Sequence, residues 1–248
     1  MSLRMQFLLI VLAGLILAAC SPKEKPTLKI GMNMNFPPFG SEVDGAYVGV
    51  DVDLAHKIAE KLEQPYEIID LDFDNLIPAI LSGKIDIAIS AMSITEERSR
   101  QIEFTQGYYT VNQAVITKTD SPVKINSINE IANYNVGVTS GTTALKWVEE
   151  KLLMKDLITI DQLLIYPDMD EALQDLMKGQ IDIVINDEVA IQGYEDKYPI
   201  TNKFLIENGE SYGIAMHAEG PYNQKIKAAL QDLLDSGEMK SIIQTHIQ

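Results

Sequence analysis

The segments GKIDIAIS (83–90) and GQIDIVIN (179–186) carry nearly the same eight residues at positions 96 apart. Each is rich in aliphatic and β-branched residues, which is typical of a buried strand, and each begins with a glycine. An amphipathic stretch precedes each glycine, with apolar residues spaced as on one face of a helix. The repeat therefore predicts two copies of a helix–glycine–strand unit.

A second matched pair lies upstream of the first. LKIGMN (28–33) resembles YNVGVT (134–139), and both read as an apolar strand interrupted by a glycine. Helical patterns follow them at 51–64 and 142–153. Alternation of strands and helices predicts an α/β protein, and two such units predict two lobes, each with a mostly parallel sheet flanked by helices.

Matched aspartates stand at the start of each repeated helix. Asp72 and Asp74 in the first unit lie 96 positions before Asp168 and Asp170 in the second. Acidic side chains at a helix start accept hydrogen bonds from free N–H groups and complement the helix dipole. We therefore predict that these aspartates cap the two helices.

Polar residues occupy the carboxyl ends of four predicted strands. These are Asn33, Ser90, Thr139 and Asn186. In open α/β sheets, ligands bind outside the carboxyl ends of the strands. A single polar residue there has an ordinary explanation, because strand ends meet water, but four matched positions predict a ligand cleft between the lobes.

Composition argues against several classes of function. The formal net charge is −16, which repels phosphate backbones, so we expect no nucleic-acid partner. Cys20 is the one cysteine, and His56, His217 and His246 lack metal-ligand spacing, so we expect no disulfide and no metal site. The motifs G-x-S-x-G, G-x-x-x-x-G-K-[ST] and H-E-x-x-H are absent from the sequence, which weakens hydrolase, nucleotide-binding and zinc-protease hypotheses.

The amino terminus has the pattern of an export signal. After Arg4 comes FLLIVLAGLILAAC (7–20), which is short for a transmembrane helix but suited to a signal-peptide core. It ends in Leu-Ala-Ala-Cys, which resembles a bacterial lipobox. We predict a signal peptide at 1–19 and a lipid, such as palmitate, on Cys20, with 20–27 as a tether. The alternative is an uncleaved helix with a buried cysteine.

The segments around the predicted strand ends resemble a known family. They are GMNMNFPPFG (31–40), GVDVDLAHKIAEKL (49–62), DFDNLIPAILSGKIDIAISAMSITEERSRQIEFT (72–105), GVTSGTTA (137–144), NDEVA (186–190) and YGIAM (212–216). This pattern resembles the solute-binding lipoproteins of polar amino acid ABC transporters, which have the type II periplasmic-binding fold. The resemblance covers nearly all of the chain after Cys20, and S-x-x-S-I-T-x-x-R at 90–98 is fairly specific. It implies a ligand cleft between two lobes.

Several residues have the chemistry needed to hold a free amino acid. Arg98 can form a bidentate pair with a carboxylate, which a lysine could not match geometrically. SGTTA opens a predicted helix, so the N–H groups of Thr142 and Thr143 can face an anion, and Asp187 can accept an ammonium group. The family resemblance implies the same roles and adds Ser93 near the carboxylate. The structural alternatives are a surface ion pair for Arg98 and helix caps for the threonines.

The resemblance also implies what surrounds the ligand's side chain. It places Phe36 and Phe73 as apolar walls, although both could instead belong to the core. Several relatives that bind basic amino acids have an aspartate where this chain has Asn33. Thr139 and Asn186 are also neutral, so we expect no charge at the distal end of the pocket. That pattern favours a basic or amide side chain.

Sequence order implies two crossings between the lobes, near 109–116 and 205–213. We therefore predict lobe 1 from 28–111 and 211–248, and lobe 2 from 112–210. Two short linkers permit hinge closure over a ligand, as periplasmic binding proteins do.

Together these expectations describe a binding protein rather than an enzyme. We expect a cofactor-free monomer, lipid-anchored in the bacterial cell envelope, that captures a polar amino acid and delivers it to an ABC transporter permease. One alternative is an enzyme resembling the cyclohexadienyl dehydratases, which needs a general acid in the cleft. Asp187 is the one carboxylate expected there, and the ammonium role already uses it. The other alternative is an amino acid sensor not coupled to transport.

Overall fold

The structure is a computed structural model, and it describes residues 25–247 of the chain. The predicted signal peptide and Cys20 lie outside the described residues and stay predictions. Within the described part of the chain, none of the helices combines the length and the apolar character needed to cross a membrane.

Strands and helices alternate along most of the described chain. The strands are β1 (Leu28–Met32), β2 (Asn35–Phe36), β3 (Gly40–Val43), β4 (Ala46–Val48), β5 (Tyr66–Asp70), β6 (Ile87–Ala88), β7 (Glu103–Phe104), β8 (Tyr109–Lys118), β9 (Val136–Thr139), β10 (Leu163–Tyr166), β11 (Ile183–Asp187), β12 (Ile200–Tyr212) and β13 (Ala215–Met216). The α-helices are α1 (Val50–Leu62), α2 (Leu76–Leu81), α3 (Glu96–Ser99), α4 (Thr143–Val148), α5 (Met169–Lys178), α6 (Ala190–Tyr194), α7 (Asn223–Ser236) and α8 (Glu238–His246). Three 3₁₀ turns, at Phe73–Asn75, Ile128–Asn133 and Ile160–Gln162, and one π-helical turn, at Glu149–Leu153, complete the described elements.

Two five-stranded sheets have the same arrangement. The first has the order β5-β1-β6-β13-β7, and the second has the order β10-β9-β11-β8-β12. In each sheet the first three strands are parallel, and the fourth is antiparallel to both of its neighbours. Four of the five strands in each sheet therefore point the same way. The predicted two-lobed α/β fold with mostly parallel sheets is confirmed.

The sequence repeat corresponds to matched positions in the two sheets. β6 and β11 both occupy the third place, and the glycines before them, Gly83 and Gly179, have φ values of 71° and 74°. These left-handed conformations end the preceding helix and favour glycine. At Gly31 in β1 and Gly137 in β9, a Cβ atom would collide with the side chain of Ile85 or Ile181 respectively, the matched isoleucines of the repeat. Both glycines therefore permit the repeated segment to pack against its neighbouring strand.

Helices cover both faces of each sheet. Successive residues of the first repeat point to opposite faces of the sheet. Ile87 packs in the core that includes α1, α7 and α8, and Ala88 packs in the core that includes α2. In the second sheet, Ile183 packs with α4 and Val184 packs with α5. Strands covered on both faces have no polar face, which explains why the two repeats read as nearly continuous apolar runs.

Two long antiparallel strands connect the two sheets. β8 leaves β7 of the first sheet, β12 leads into β13 of that sheet, and their pairing extends from Tyr109↔Tyr212 to Lys118↔Ile200. Near the first sheet the ring of Tyr212 stacks on Tyr109 at 5.8 Å and meets Phe39 edge-on at 5.1 Å. The expected crossing at 109–116 lies within β8, and the one at 205–213 overlaps β12 up to its last residue, Tyr212. The residue boundaries given for the lobes stay predictions.

The predicted aspartate caps form in only one of the two units. Asp168 caps α5 by accepting a hydrogen bond from the backbone N–H of Glu171 at 2.9 Å. The corresponding prediction for Asp72 is wrong, because a 3₁₀ turn separates it from α2 and its side chain makes no capping bond. Asp74 does not cap either, and instead accepts a hydrogen bond from Ser140 Oγ at 3.2 Å.

Candidate functional site

A cleft lies between the two lobes. The residues predicted to bind ligand all line it: Asn33, Phe36, Phe73, Ser90, Ser93, Arg98, Thr139, Thr142, Thr143, Asn186 and Asp187. Five further residues line the same cleft: Asn35, Ala91, Pro167, Asp168 and Met169. The structure therefore brings together every residue predicted to bind the ligand, and the roles of these residues in binding stay predictions.

Arg98 is a buried cation without an anionic partner in the described residues. It lies on α3, where Thr95 Oγ1 caps the helix by accepting from the Arg98 N–H, and its exposed fraction is 9%. Its guanidinium donates to the Ser93 carbonyl at 2.7 Å and to the Gly141 carbonyl at 2.9 Å. Burial lowers the pKa of Arg98, although an arginine remains charged at neutral pH. Two neutral carbonyls leave the charge and the remaining donors available to a carboxylate.

The two predicted aromatic walls have different surroundings. Phe73 lies beneath the Arg98 guanidinium, with 5.4 Å from Cζ to the ring centroid. This cation–π contact orients the guanidinium without neutralising it. Phe36 stacks on Phe39 at 6.1 Å and packs against core residues of both lobes. Phe36 therefore belongs to the cleft wall and to the core at once.

The side-chain hydroxyls of the two threonines at the start of α4 are already engaged. Thr142 is the N-cap residue, and its Oγ1 accepts from the Leu145 N–H at 3.2 Å and donates to the Thr139 carbonyl at 2.7 Å. Thr143 Oγ1 donates to Glu210 at 2.7 Å. The backbone N–H groups in this first turn have no intrahelical acceptors. A ligand would therefore meet backbone donors here rather than free hydroxyls.

Asp187 is the acidic counterpart of Arg98 in the cleft. Tyr212 Oη donates to its carboxylate. Burial raises the pKa of Asp187 to about 7, against the lowering effects of the Tyr212 hydrogen bond and the Arg98 charge. A cation placed next to this carboxylate would restore its charged form. The site is therefore suited to an ammonium group.

Arg98 and Asp187 are linked through two intervening residues. The Arg98 guanidinium bonds to the Ser93 carbonyl, Ser93 pairs with Tyr212 in an isolated bridge, and Tyr212 bonds to Asp187. A group that donates to anions and a group that accepts from cations thus lie close together. Among residues 25–247 no cluster of His, Cys, Asp or Glu could hold a metal ion. This arrangement has the chemistry of a site for a zwitterion.

In the first lobe, the polar strand ends are bonded to each other. The backbone N–H of Asn33 donates to Ser90 Oγ at 2.9 Å. The Asn33 side chain donates to the Leu71 carbonyl at 3.1 Å and accepts from the Asn35 N–H at 3.2 Å. An amide offers two donors and two acceptor sites, so one of each remains for a ligand.

In the second lobe, one strand-end hydroxyl has no partner. Thr139 Oγ1 is buried and makes no hydrogen bond within the described residues. Buried polar groups are almost always paired, so an unpaired hydroxyl at the cleft indicates a missing partner. Asn186 is bonded: its Nδ2 donates to Met169 Sδ at 2.9 Å, and its Oδ1 accepts from the Asp187 N–H at 2.7 Å.

The sequence predicts no charge at the distal end of the pocket, and the structure adds a carboxylate that was not among the predicted ligand contacts, because Asp168 lines the cleft. Its sequence position marked it only as a helix cap, and one oxygen does cap α5. The signal that could have found it is the strand-end rule, since Asp168 follows β10, which lies at the edge of the second sheet. That strand is outside the repeated segments, so the repeat does not mark its end.

The two lobes touch on both sides of the cleft. On one side Ser140 Oγ donates to Asp74 at 3.2 Å. On the other side Tyr194 Oη donates to the Asn35 carbonyl at 2.7 Å, and a Cβ atom on Gly193 would collide with the Pro37 carbonyl. The structure therefore has the lobes closed over the cleft.

Comparison with known sequences places this geometry in a family. The profile of the bacterial extracellular solute-binding proteins, family 3, matches residues 28–248. The chain belongs to this family. A curated relative is the arginine-binding extracellular protein ArtP of Bacillus subtilis, which is 27% identical over 250 residues, or 96% of each chain.

Solved structures of the same fold include two that are described as an ancestral arginine-binding protein, with different ligands. An ancestral arginine-binding protein bound to arginine has a TM-score of 0.83 and 32% identity, covering 91% of this chain and 100% of its own. An ancestral arginine-binding protein bound to glutamine has a TM-score of 0.80 and 31% identity, covering 90% and 99%. The type II fold is confirmed, and so is the expectation of a binding protein rather than an enzyme, since the family and these relatives are described as binding proteins.

Proposed function

We propose that this chain captures a free amino acid with a basic or amide side chain and delivers it to an ABC transporter. The observation that carries the proposal is that Arg98 and Asp187 line the same cleft without forming an ion pair with each other. A buried guanidinium with no carboxylate partner in the described residues faces the same space as a carboxylate whose pKa burial raises to about 7. A zwitterionic ligand satisfies both groups at once, which an anion or a cation alone does not.

The α-carboxylate is proposed to bind Arg98, assisted by the backbone N–H groups of Thr142 and Thr143 and by Ser93. Charge-assisted bonds from a guanidinium fork are stronger than neutral ones and fix the orientation of a carboxylate. The α-ammonium is proposed to bind Asp187. Its proximity to Arg98, through Ser93 and Tyr212, agrees with the short separation of the two charges in an amino acid.

The side chain is proposed to occupy the end of the cleft lined by Asn33, Thr139 and Asn186, with Phe36 and Phe73 as walls. A short aliphatic side chain would leave buried polar groups unpaired there, at a cost of about 1–3 kcal/mol each. An acidic side chain would lack a cation, because Arg98 is already used. Relatives described as arginine-binding, and one bound to glutamine, support this ranking.

Capture by hinge closure is proposed from the two connecting strands. β8 and β12 join the sheets, and the lobes touch across the cleft through bonds that opening would break. The closed form would then be the shape that a permease recognises.

Anchoring at Cys20 is proposed from the sequence at 7–20. Replacing Cys20 with serine should release the protein from membranes or block its processing. The hypothesis is wrong if the C20S variant still fractionates with membranes and is cleaved normally.

A thermal-shift screen of the twenty amino acids on the purified protein tests the proposed function. A ligand at a thousand times its dissociation constant should add about 4 kcal/mol to the free energy of unfolding. Arginine, lysine or glutamine should give the largest shifts, glutamate a small one and leucine the smallest. A screen in which no amino acid raises the Tm contradicts the proposal.

A further inference from the structure

Asp168 is a cleft carboxylate for which the expected set of ligand contacts gives no role. It is partly buried, follows β10 and lines the cleft beside Met169. One of its oxygens caps α5 by accepting from the Glu171 N–H. No described residue donates a hydrogen bond to its second oxygen. Half of the carboxylate's accepting capacity is therefore open.

No described cation neutralises Asp168. The lysines near α5 pair with other aspartates: Lys178 bonds to Asp175 at 2.9 Å, and Lys197 bonds to Asp170 at 2.5 Å. The negative charge of Asp168 acts on a neighbouring helix of the same lobe, α6. Burial first, and then the charge of Asp168, raises the pKa of Tyr194, whose hydroxyl bonds to the Asn35 carbonyl.

The sheet fixes how far Asp168 lies from the ammonium site. In the second sheet the order is β10-β9-β11, so the strand end before Asp168 is two strands from the end that carries Asp187. Neighbouring strands are about 4.8 Å apart, which separates the two ends by about 10 Å. Thr139, at the end of β9, lies between them. A long side chain starting from an α-ammonium on Asp187 would run past Thr139 towards Asp168.

The first lobe closes the distal end of this path. Helix α5 contacts β2, which brings Asn35 and Phe36 against the region that begins with Asp168. Arg98, by contrast, lies beside Phe73 and Gly141. The cleft therefore has one end that carries Arg98 and Asp187 and another end that carries Asp168, with the uncharged strand end at Thr139 between Asp187 and Asp168.

Building on the proposed function, we propose that Asp168 is the specificity-determining residue that pairs with the cationic side chain of the ligand. The ligand class is thereby narrowed to amino acids with a long, positively charged side chain, such as arginine and lysine. Asn33 and Thr139 then serve as neutral hydrogen-bonding neighbours, and amides such as glutamine bind less tightly.

The capping role of Asp168 has to be separated from this charge role. Asparagine is as good an N-cap as aspartate, so Asp168→Asn keeps the cap and removes the charge. Serine also caps, and Asp168→Ser provides a second variant with a different shape. A matched control is Asp72→Asn, since Asp72 is the counterpart of Asp168 in the sequence repeat and does not line the cleft.

The test is isothermal titration calorimetry of the full chain and each variant with arginine, lysine and glutamine. In the Asp168→Asn variant we expect the Kd for arginine and for lysine to rise at least tenfold, with the Kd for glutamine changing less than threefold. Asp72→Asn should change none of the three. The arginine preference of the unmodified protein should also weaken at high ionic strength, and that of Asp168→Asn should weaken less.

The possible results separate this inference from the proposed function. If the arginine-to-glutamine affinity ratio in both Asp168 variants stays within threefold of the ratio in the unmodified protein, the proposed role of Asp168 is overturned, while the proposal of amino acid binding stands. Binding of glutamine but not of arginine or lysine by the unmodified protein has the same consequence. If no amino acid binds at all, the proposed function fails, and this inference fails with it.

Discussion

Replacing Arg98 with alanine should weaken amino acid binding by about 30-fold to a few thousand-fold. Removing one partner of a buried, hydrogen-bonded charge pair costs about 2–5 kcal/mol. At about 1.4 kcal/mol per tenfold change in Kd, this range is roughly 1.5 to 3.6 decades. We expect the loss of affinity to lie in the upper part of this range, because Arg98 is only 9% exposed and no other cation of the described residues lines the cleft.

A lysine at position 98 should recover only part of this loss. Arg98 donates to the carbonyls of Ser93 and Gly141 with two different nitrogens and still presents donors to the cleft. A lysine ammonium carries the charge but has no rigid fork, so it cannot hold both carbonyls and a carboxylate in the same geometry. We expect the Kd of Arg98→Lys to lie between those of the unmodified protein and Arg98→Ala.

Arg100→Ala is the matched control, because Arg100 ends the same short helix and its side chain is exposed and paired with Glu96. Its Kd should equal that of the unmodified protein. The assay is isothermal titration calorimetry, with circular dichroism to confirm that each variant is folded. If Arg98→Ala is folded and its Kd rises less than threefold, Arg98 does not hold the carboxylate and the reasoning is refuted.

Three further predictions concern pH, closure and stability. Because burial raises the pKa of Asp187 to about 7 and ammonium binding needs the ionised carboxylate, the Kd at pH 6 should be about ten times that at pH 8; calorimetry at both values checks this, and an unchanged Kd contradicts it. In Gly193→Ala the added methyl group would meet the Pro37 carbonyl, so the variant should bind ligand more weakly. The ligand-bound variant should also have a larger radius of gyration in small-angle scattering than the unmodified complex. Equal affinity and an equal radius of gyration would count against closure at this contact. Burial raises the pKa of Asp51 from 3.8 to about 7, so the folded state binds the proton more tightly and the free energy of unfolding should fall, by at most about 4 kcal/mol, as pH rises from 4 to 7. Asp51→Asn lacks this contribution, so its free energy of unfolding should fall less than that of the unmodified protein between pH 4 and 7, as measured by urea titration. If the free energies of the two proteins change in parallel with pH, Asp51 does not titrate in this interval.

The repeat carried most of the information about the fold. Two matched segments are sufficient to place β6 and β11 at equivalent positions, because strands covered on both faces and helix-ending glycines have distinct local signatures. The antiparallel strands β13 and β8 have no such signature. Their place in each sheet depends on pairing between residues far apart in sequence, which local patterns do not encode.

The cleft residues also differ in whether a local sequence pattern marks them. Thr139 and Asn186 were predicted because a strand end can be read from the strand before it. Asp168 was missed because β10 lies outside the repeat and the aspartate already had a sufficient explanation as a cap. The hydrogen bonds of Asn33 to Leu71 and Asn35 also depend on how a loop folds back, so the sequence marked the residue but not its partners.

The most direct measurement of the central claim is a crystal structure of the protein grown with arginine. We predict the α-carboxylate within hydrogen-bonding distance of the Arg98 guanidinium and of the backbone N–H groups that open α4, with the α-ammonium on Asp187 and the side chain directed towards Asp168. An arginine bound in the cleft with its α-carboxylate away from Arg98, or bound outside the cleft, would contradict the account.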